Sequence, residues 1–450
     1  MKHLKTYALI LSLVGILYNT QAQEANKTSF SLSEAIEYSL KHSPNYLNAE
    51  LDQKSAEYRR KEVTGLGLPQ VNGSIDIKDY INIPTSLLPA QIFGGPEGSF
   101  IPVKFGTKYN ATAGLSASQL IFSSDYIYAL KGSKVYNEIS KISVTRSKNE
   151  LAAQVTKAYY SLAVTKDRLK TSEANVIRTK VIYDNTKASN EQGLAELIDV
   201  ERTEVDYNNA LLDRDLAVRN LANIEAALKF QMGYKIEDVL TITDSVVVAD
   251  EQELNPKADF TNRPEYQLAQ KNQTFLDMDV KRLKWGYLPT LSAYGSYQFN
   301  AQRNEFNFAN DKNDPSKQWF KVFVVGATLN VNIFDGLQRH YKIQQAKVSS
   351  LKNQNNIRMI ELAAQLDIQQ LAINYNIVLQ NYKNQKRNLE LATHVYESAK
   401  KKYESGVGSN LEVVSAQAQV MASQANYYNV LYNLVSSKTD YLKATGTLVK

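Results

Sequence analysis

The chain of 450 residues contains no cysteine and only four histidines. Without cysteine it has no disulfide, no thiolate metal site and no lipid-modified N-terminal cysteine. The histidines are scattered and lack the paired spacing of a metal site. No nucleotide-binding loop or complete nucleophile motif stands in the sequence either. We therefore expect no catalytic residue, no metal and no cofactor, and the chain is predicted not to be an enzyme.

Long apolar runs are also missing beyond the N-terminus. The mean hydropathy is −0.38, and no window after residue 22 is apolar enough for a transmembrane helix of about 20 residues. Any membrane-embedded part would have to consist of strands. An excess of one charge is missing as well, because the net charge is only +6. Lysine and arginine are interspersed with acids, which indicates a solvated surface and no nucleic-acid partner.

Residues 1–22 are predicted to be a signal peptide. Lys2 and Lys5 precede an apolar run over residues 7–18, and small residues suit cleavage after Ala22. The run is too short to span a membrane comfortably. The mature chain is therefore expected outside the cytoplasm.

Two pairs of segments alternate apolar and polar residues with a period of two. The first pair covers about 68–83 and 108–122, around a Pro/Gly-rich loop, and the second covers about 289–301 and 319–334. Each strand would have one apolar and one polar face, as at a boundary between lipid and water. The residues predicted to face the membrane are Val71, Ile75, Ile77, Ile81, Leu115, Leu291, Tyr297, Phe299, Phe323, Val325 and Leu329.

Each strand pair is followed by a long segment with helical periodicity. Residues 124–192 contain no proline and one glycine, and a helix of about 70 residues would be about 105 Å long. Apolar residues recur at seven-residue intervals, as in coiled coils. Turns at Gly193 and Gly406 predict helical hairpins over about 124–233 and 337–445.

The chain consists of two copies of one unit. Pro44 recurs as Pro264 and Gly193 as Gly406, an offset of about 210 to 220 residues that other landmarks share. The predicted domains are the signal peptide, a first repeat over residues 23–235 and a second repeat over residues 236–450.

Four strands per chain are too few for a closed membrane barrel, which needs about 8 or more. Several chains would therefore have to share one. A ring of chains would join a barrel of strands to a tube of helices around a water-filled lumen. The predicted fold class is mainly α with membrane β-strands.

Short motifs stand in a fixed order along the mature chain. They are Ser31-Leu32-Ser33-Glu34-Ala35-Ile36, Ser43-Pro44, Leu68-Pro69, Leu120-Ile121-Phe122, Tyr403-Glu404-Ser405-Gly406 and Leu411-Glu412-Val413. With their repeats, they resemble the TolC family of outer-membrane efflux proteins. The resemblance implies a TolC-like trimeric α/β barrel. In it, a homotrimer shares a twelve-stranded transmembrane barrel and carries a helical tunnel in the periplasm.

The resemblance also implies a function and partners. The chain would be the outer-membrane exit duct of a tripartite efflux or type I secretion system, surrounded by outer-membrane lipid. It would receive substrates from a periplasmic adaptor (membrane fusion protein) and an inner-membrane pump of the RND, ABC or MFS class. Two alternatives are a periplasmic adaptor, which would carry one hairpin between Gly-rich β-domains, and a secreted coiled-coil structural protein.

In the family the two helix turns form the periplasmic entrance. The residues that the resemblance assigns to adaptor contact are Gly193, Leu194, Ala195, Gly406, Val407, Gly408 and Ser409. Asp199 and Glu412 occupy positions where the family often has acids at the entrance constriction, which would attract cations. Gly408 and Ser415 depart from members that have a latching arginine and a second aspartate there.

Overall fold

The structure is a computed structural model that describes residues 28–246 and 251–449. The predicted signal peptide lies outside the described residues. The helices are α1 (Leu32–His42), α2 (Pro44–Gly65), α3 (Ser124–Glu191), α4 (Leu197–Met232), α5 (Pro264–Trp285), α6 (Gln338–Glu404) and α7 (Asn410–Ala444). The strands are β1 (Ser29–Phe30), β2 (Gln70–Asp79), β3 (Thr85–Pro89), β4 (Phe100–Lys104), β5 (Tyr109–Phe122), β6 (Thr241–Ile242), β7 (Thr290–Arg303) and β8 (Phe320–Asn330).

The chain divides into two compact units, each assembled from separate segments. Of the described residues, the first unit contains 28–51, 143–246, 251–267 and 359–449, and the second contains 52–142 and 268–358. Each unit therefore takes segments from both halves of the chain. The boundaries of the two sequence repeats stay a prediction.

The Ser43-Pro44 pair separates α1 from α2. Ser31 and Glu34 form a capping box at the start of α1, in which the Ser31 N–H donates to the Glu34 carboxylate at 2.8 Å. At the other end Ser43 is extended (φ −69°, ψ 119°), because a proline disfavours the helical conformation of the preceding residue. Pro44 then begins α2, where its missing N–H costs nothing. The proline thus ends one helix and begins the next.

In the first unit the long helices pack as two pairs, α3 with α4 and α6 with α7. The core shared by α3, α4 and the chain around α1 contains Phe30, Val155, Tyr159, Leu228 and Met232. Tyr375, Leu379, Leu431 and Leu434 form a core between α6 and α7, to which Val164 of α3 adds. Across residues 28–246 and 251–449, no helix has both the length and the apolar character needed to cross a bilayer.

The second unit contains an antiparallel sheet with the strand order β2-β5-β7-β8. Residues directly opposite one another in such a sheet share a face. The register aligns Gly73 with Leu115, Leu115 with Tyr297, and Tyr297 with Phe323. A row of neighbours on one face therefore crosses all four strands.

The apolar residues predicted to face the membrane fall on this one face. The members that lie in strands are Val71, Ile75, Ile77, Leu115, Leu291, Tyr297, Phe299, Phe323, Val325 and Leu329. Ile75 is 79% exposed and Phe323 is 70% exposed in the single chain. The other face carries mainly Asn, Ser, Thr, Asp, Lys and Gln side chains, and its exceptions are Leu120, Tyr294, Phe320, Val322 and Val324.

Two strands end earlier than the alternation predicts. β2 stops at Asp79, so Ile81 lies in a bend beyond it and is 88% exposed. The ladder ends there because β5 pairs only to Tyr109, opposite Asp79, after which the chain diverges. β8 stops at Asn330, opposite Thr290, because β7 begins at that residue and offers no further partner.

The segment predicted as a Pro/Gly-rich loop contains a small hairpin. β3 and β4 pair antiparallel, with Leu87 opposite Pro102 and Pro89 opposite Phe100. The sequence pattern missed these strands because proline within a run argues against a strand, except at a sheet edge. In a two-stranded sheet both strands are edges.

Candidate functional site

The turn between α3 and α4 is built around a left-handed glycine. Gly193 has φ +74°, and its N–H donates to the Asn190 carbonyl at 2.8 Å. The Leu194 N–H donates to the Ser189 carbonyl at 2.8 Å, which completes a Schellman motif. The Asn190 side-chain amide also donates to the Ala195 carbonyl at 2.7 Å. A residue with a Cβ would be strained at this φ, so the glycine fixes where the pair turns.

The turn between α6 and α7 repeats this backbone. Gly406 has φ +77°, and the Val407 N–H donates to the Lys402 carbonyl at 3.0 Å. Ser409 then caps α7, because its hydroxyl accepts a hydrogen bond from the Glu412 N–H at 3.2 Å. We call residues 191–199 the first tip and residues 405–412 the second tip.

Gly408 is held tightly in the second tip. Its N–H donates to the Lys402 carbonyl at 3.1 Å, and a Cβ at this place would lie 2.9 Å from the Tyr403 backbone nitrogen. The turn therefore leaves no room for a side chain. This contact is a physical reason why residue 408 is a glycine.

In each tip the residue directly after the left-handed glycine is a highly exposed apolar one, in addition to Leu197, Ile198 and Leu411, which are also exposed. Leu194 is 78% exposed and Val407 is 79% exposed. A single exposed apolar residue is ordinary. Because such a residue recurs at the same place in both tips, Leu194 and Val407 could contact a partner protein in the same way.

The two acids predicted at the constriction have different surroundings. The Asp199 side chain is 24% exposed, and its carboxylate lies 3.4 Å from the Arg202 guanidinium. Glu412 is exposed to solvent in the first turn of α7, where the helix dipole favours a negative charge. The charge of Asp199 is thus partly offset, while that of Glu412 faces water.

A row of polar side chains connects α3 to α7. The hydrogen bonds in it are Thr171 Oγ1 with Tyr428 OH (2.7 Å), Asn175 Nδ2 to Gln424 Oε1 (2.8 Å) and Arg178 Nη1 to Gln417 Oε1 (3.3 Å). We call these six residues the α3–α7 seam. It joins the first helix pair to the second.

The α3–α7 seam leaves some of its buried polar atoms without partners. The Arg178 guanidinium also lies 5.1 Å from the ring centroid of Tyr396 on α6, so one side chain contacts both helices of the second pair. Asn175 Oδ1 and Gln417 Nε2 are buried, yet they have no hydrogen-bond partner within the described residues. Unsatisfied buried atoms cost stability, while an apolar contact would not carry this cost.

A half-buried carboxyl group lies beside the seam. Asp206 of α4 lines a small cavity together with Thr203 and Gln417. Burial raises the pKa of Asp206 above its ordinary value, because a charged carboxylate is poorly solvated there.

The sequence reasoning missed the seam because it followed apolar heptad positions. Thr171, Asn175 and Arg178 lie four and three residues apart, which is a helical period. The signal was therefore present on α3. It did not identify the partner helix, which only the packing supplies.

These features define a class of protein. Paired long helices with exposed tips, and a sheet with an exposed apolar face and a polar face, are parts of a conduit at a membrane rather than a catalytic cleft. The chain belongs to the outer membrane efflux protein family, whose sequence pattern matches residues 35–234 and 261–447.

The resemblance to the TolC family is thereby confirmed, as are the outer-membrane location, the periplasmic helical part and the channel function without enzymatic activity. Members of the family serve as the outer-membrane duct of tripartite efflux systems, with an adaptor and an inner-membrane pump.

Individual relatives agree with this assignment. Outer membrane protein TolC of Vibrio cholerae is 20% identical over 342 residues, which cover 75% of this chain and 77% of that protein. The Campylobacter jejuni CmeC outer-membrane channel has a TM-score of 0.70 at 16% identity, covering 95% of this chain and 90% of that one. The Neisseria gonorrhoeae MtrE outer-membrane channel was solved in its open state. It has a TM-score of 0.70 at 14% identity, and the match covers 92% of this chain and 88% of that one. The chain shares the fold of these solved channels.

Proposed function

We propose that three copies of this chain form the exit duct of a tripartite efflux or type I secretion system. The duct receives substrates from a periplasmic adaptor and an inner-membrane pump and releases them outside the cell. The sheets of the three copies join in the outer membrane, and their helix pairs form the periplasmic tunnel. The pump supplies the energy.

The observation that carries this proposal is the exposed apolar face of the β2-β5-β7-β8 sheet. A contiguous apolar face is unfavourable in water at about 25 cal/mol per Å² and favourable against lipid. Within the described chain, β2 and β8 each have one edge without a neighbouring strand. Such edges pair readily with strands of another copy, which supports a wall shared between protomers.

The tips are proposed as the adaptor-contact surface. The residues are Gly193, Leu194, Ala195, Gly406, Val407, Gly408 and Ser409. The exposure of Leu194 and Val407 supports this role, because covering an exposed apolar side chain with a partner removes its surface from water, which is favourable. Asp199 and Glu412 are proposed to line the constriction.

The entrance is proposed to open when the two helix pairs of each protomer move apart. The α3–α7 seam supports this motion, since the seam is polar and contains the unsatisfied Asn175 Oδ1 and Gln417 Nε2. An adaptor bound at the tips would have to break these hydrogen bonds, each with a net value of about 1 kcal/mol, together with the contact of Val164 with the α6–α7 core.

A matched pair of substitutions on β2 tests the membrane face. Ile75→Arg places a charge on the apolar face, at a cost of about 2–4 kcal/mol near the bilayer midplane. Ser74→Arg places the same charge on the polar face. We expect Ile75→Arg to lower the amount of heat-modifiable trimer in outer-membrane fractions, while Ser74→Arg assembles like the unaltered chain and conducts in planar bilayers.

Equal assembly of the two variants would contradict the proposed orientation of the sheet. A chain that stays dispersed and monomeric without detergent would contradict the duct itself. That second result would instead favour a soluble coiled-coil protein.

A further inference from the structure

A cavity of about 510 Å³ lies in the second unit, between α2, α3 and α5. Small-molecule sites in proteins commonly measure about 300–1,000 Å³. The cavity is thus large enough for a ligand rather than for a few water molecules.

Small side chains make the space. Ala56 of α2 lines the cavity together with Ala129, Gly132 and Ser133 of α3. Gly132 is the only glycine in this 68-residue helix, and a glycine in a helix interior is destabilising relative to alanine. A Cβ at Gly132 would lie 3.4 Å from the Phe275 ring, so any longer side chain there would have to enter the cavity.

Aromatic and thioether groups form the walls. Tyr128, Tyr136, Phe275 and Met278 line the cavity. Tyr136 is 50% exposed and Phe275 is 42% exposed, which leaves apolar surface open to water. A ligand with an aromatic ring would cover that surface and make edge-to-face and sulfur contacts.

The charges at the rim are already paired. Arg282 donates to Asp279 and to Asp125, each at 2.9 Å, and Arg59 lies 2.6 Å from Glu62. Each guanidinium of the lining therefore has a carboxylate, so neither of them is free to bind a phosphate or a fatty-acid carboxylate. The chemistry favours an uncharged ligand.

We propose that this cavity binds uncharged aromatic molecules of small-drug size. The site goes beyond the duct function, because a passive conduit needs no ligand cavity in its wall. It rests on the geometry of the second unit alone. A failed binding test would therefore leave the proposed duct intact, and a failed duct test would leave this site intact.

A fluorescence experiment on the full-length protein in detergent tests the site. The chain has two tryptophans, and the Trp285 ring lies 6.0 Å from that of Tyr128, a wall residue. Trp319→Phe makes Trp285 the sole donor. N-phenyl-1-naphthylamine, an uncharged aromatic dye that accepts tryptophan emission, is then titrated, and we expect saturable energy transfer.

Two alanines of α3 provide a matched pair in this background. Ala129→Leu fills the cavity and is expected to weaken dye binding by at least about tenfold. Ala174→Leu lies on an exposed part of the same helix and is expected to leave binding unchanged. Circular dichroism and trimer mobility check that each variant folds.

A second variant keeps the test decisive if Ala129→Leu does not fold. Phe275→Ala widens the cavity and removes one ring, and it is also expected to weaken binding. Transfer that rises without saturation, as for dye dissolved in the micelle, would overturn the proposal. Equal binding in the cavity variants and in Ala174→Leu would overturn it as well.

Discussion

The first and second tips share one backbone and differ in their side chains. Gly193 and Gly406 adopt the same left-handed conformation and close the same pair of hydrogen bonds. Two residues further on, the first tip has Ala195, while Gly408 in the second tip has no room for a Cβ. The turn geometry is thus repeated, and the side chains that could touch a partner or an ion have diverged.

The largest expected effect comes from fixing the first helix pair to the second. The chain has no cysteine, so an engineered disulfide can be placed without competing thiols. Asn175→Cys with Gln424→Cys would replace a 2.8 Å hydrogen bond of the α3–α7 seam. We expect oxidised protein to lose efflux completely and to regain it after reduction, because the pairs can no longer separate.

The control disulfide lies within the first pair. Ser172 donates to Asp213 at 2.6 Å, so Ser172→Cys with Asp213→Cys joins α3 to α4 and leaves the seam free. Efflux should persist when this bond is oxidised. Full efflux with the seam disulfide closed would show that the pairs need not separate.

A smaller effect is expected from adding a methyl group to the second tip. Gly408→Ala would bring a Cβ to 2.9 Å from the Tyr403 nitrogen, and such overpacking typically costs about 1–3 kcal/mol. Hydrogen exchange of the tip amides measures the loss of local stability. Ala195→Gly is the control at the corresponding place in the first tip. It should alter the hydrogen-exchange rates of the first-tip amides less than Gly408→Ala alters those of the second tip.

The two acids should contribute unequally to ion selectivity. Glu412→Gln is expected to lower the preference for cations over anions in planar bilayers by about twofold. Asp199→Asn should lower it less, because Arg202 lies 3.4 Å from that carboxylate. Arg202→Gln should raise the preference by unmasking Asp199. If all three variants keep the cation-to-anion permeability ratio of the unaltered chain, neither acid lies on the ion path.

The smallest expected effect is a pH dependence at Asp206. Burial raises the pKa of this carboxyl group, so the folded protein holds its proton more tightly than the unfolded chain does. The free energy of unfolding should then increase as the pH falls through the raised pKa toward the ordinary carboxyl pKa, and it should level off below that ordinary value.

Substitution by asparagine tests this sign. Asp206→Asn should raise the unfolding temperature at pH 7.5 and leave it nearly unchanged at about pH 4, near the ordinary Asp pKa. Asp215→Asn is the control, because that side chain on the same helix is 56% exposed. A larger gain for Asp206→Asn in acid than at neutral pH would reverse the assignment.

Much of the fold could be predicted because its signals are local. The alternation in residues 70–79 requires only neighbouring side chains on opposite faces of a strand. The glycines at 193 and 406 mark turns because only glycine adopts positive φ without strain. The strand ends at Asp79 and Asn330 were not predictable, because each is set by where the partner strand ends.

The candidate site likewise has features that the sequence predicted and features that it did not. The tips could be located from Gly193 and Gly406, but the ion pair of Asp199 with Arg202 and the crowding of Gly408 were not visible. These depend on which side chains the turn brings within a few ångströms. The cavity beside Gly132 was equally hidden, since it is lined by three helices that are distant in sequence.

The sequence by itself determined the amphipathic strands, the long helix pairs, their turns and the family, because periodicity and special backbone residues act over a few positions. Only the tertiary structure decided that the apolar rows of four strands share one face, that α3 meets α7 through polar side chains, and that α2, α3 and α5 leave a cavity. Each of these depends on long-range register and packing, which bring together residues that no local pattern relates.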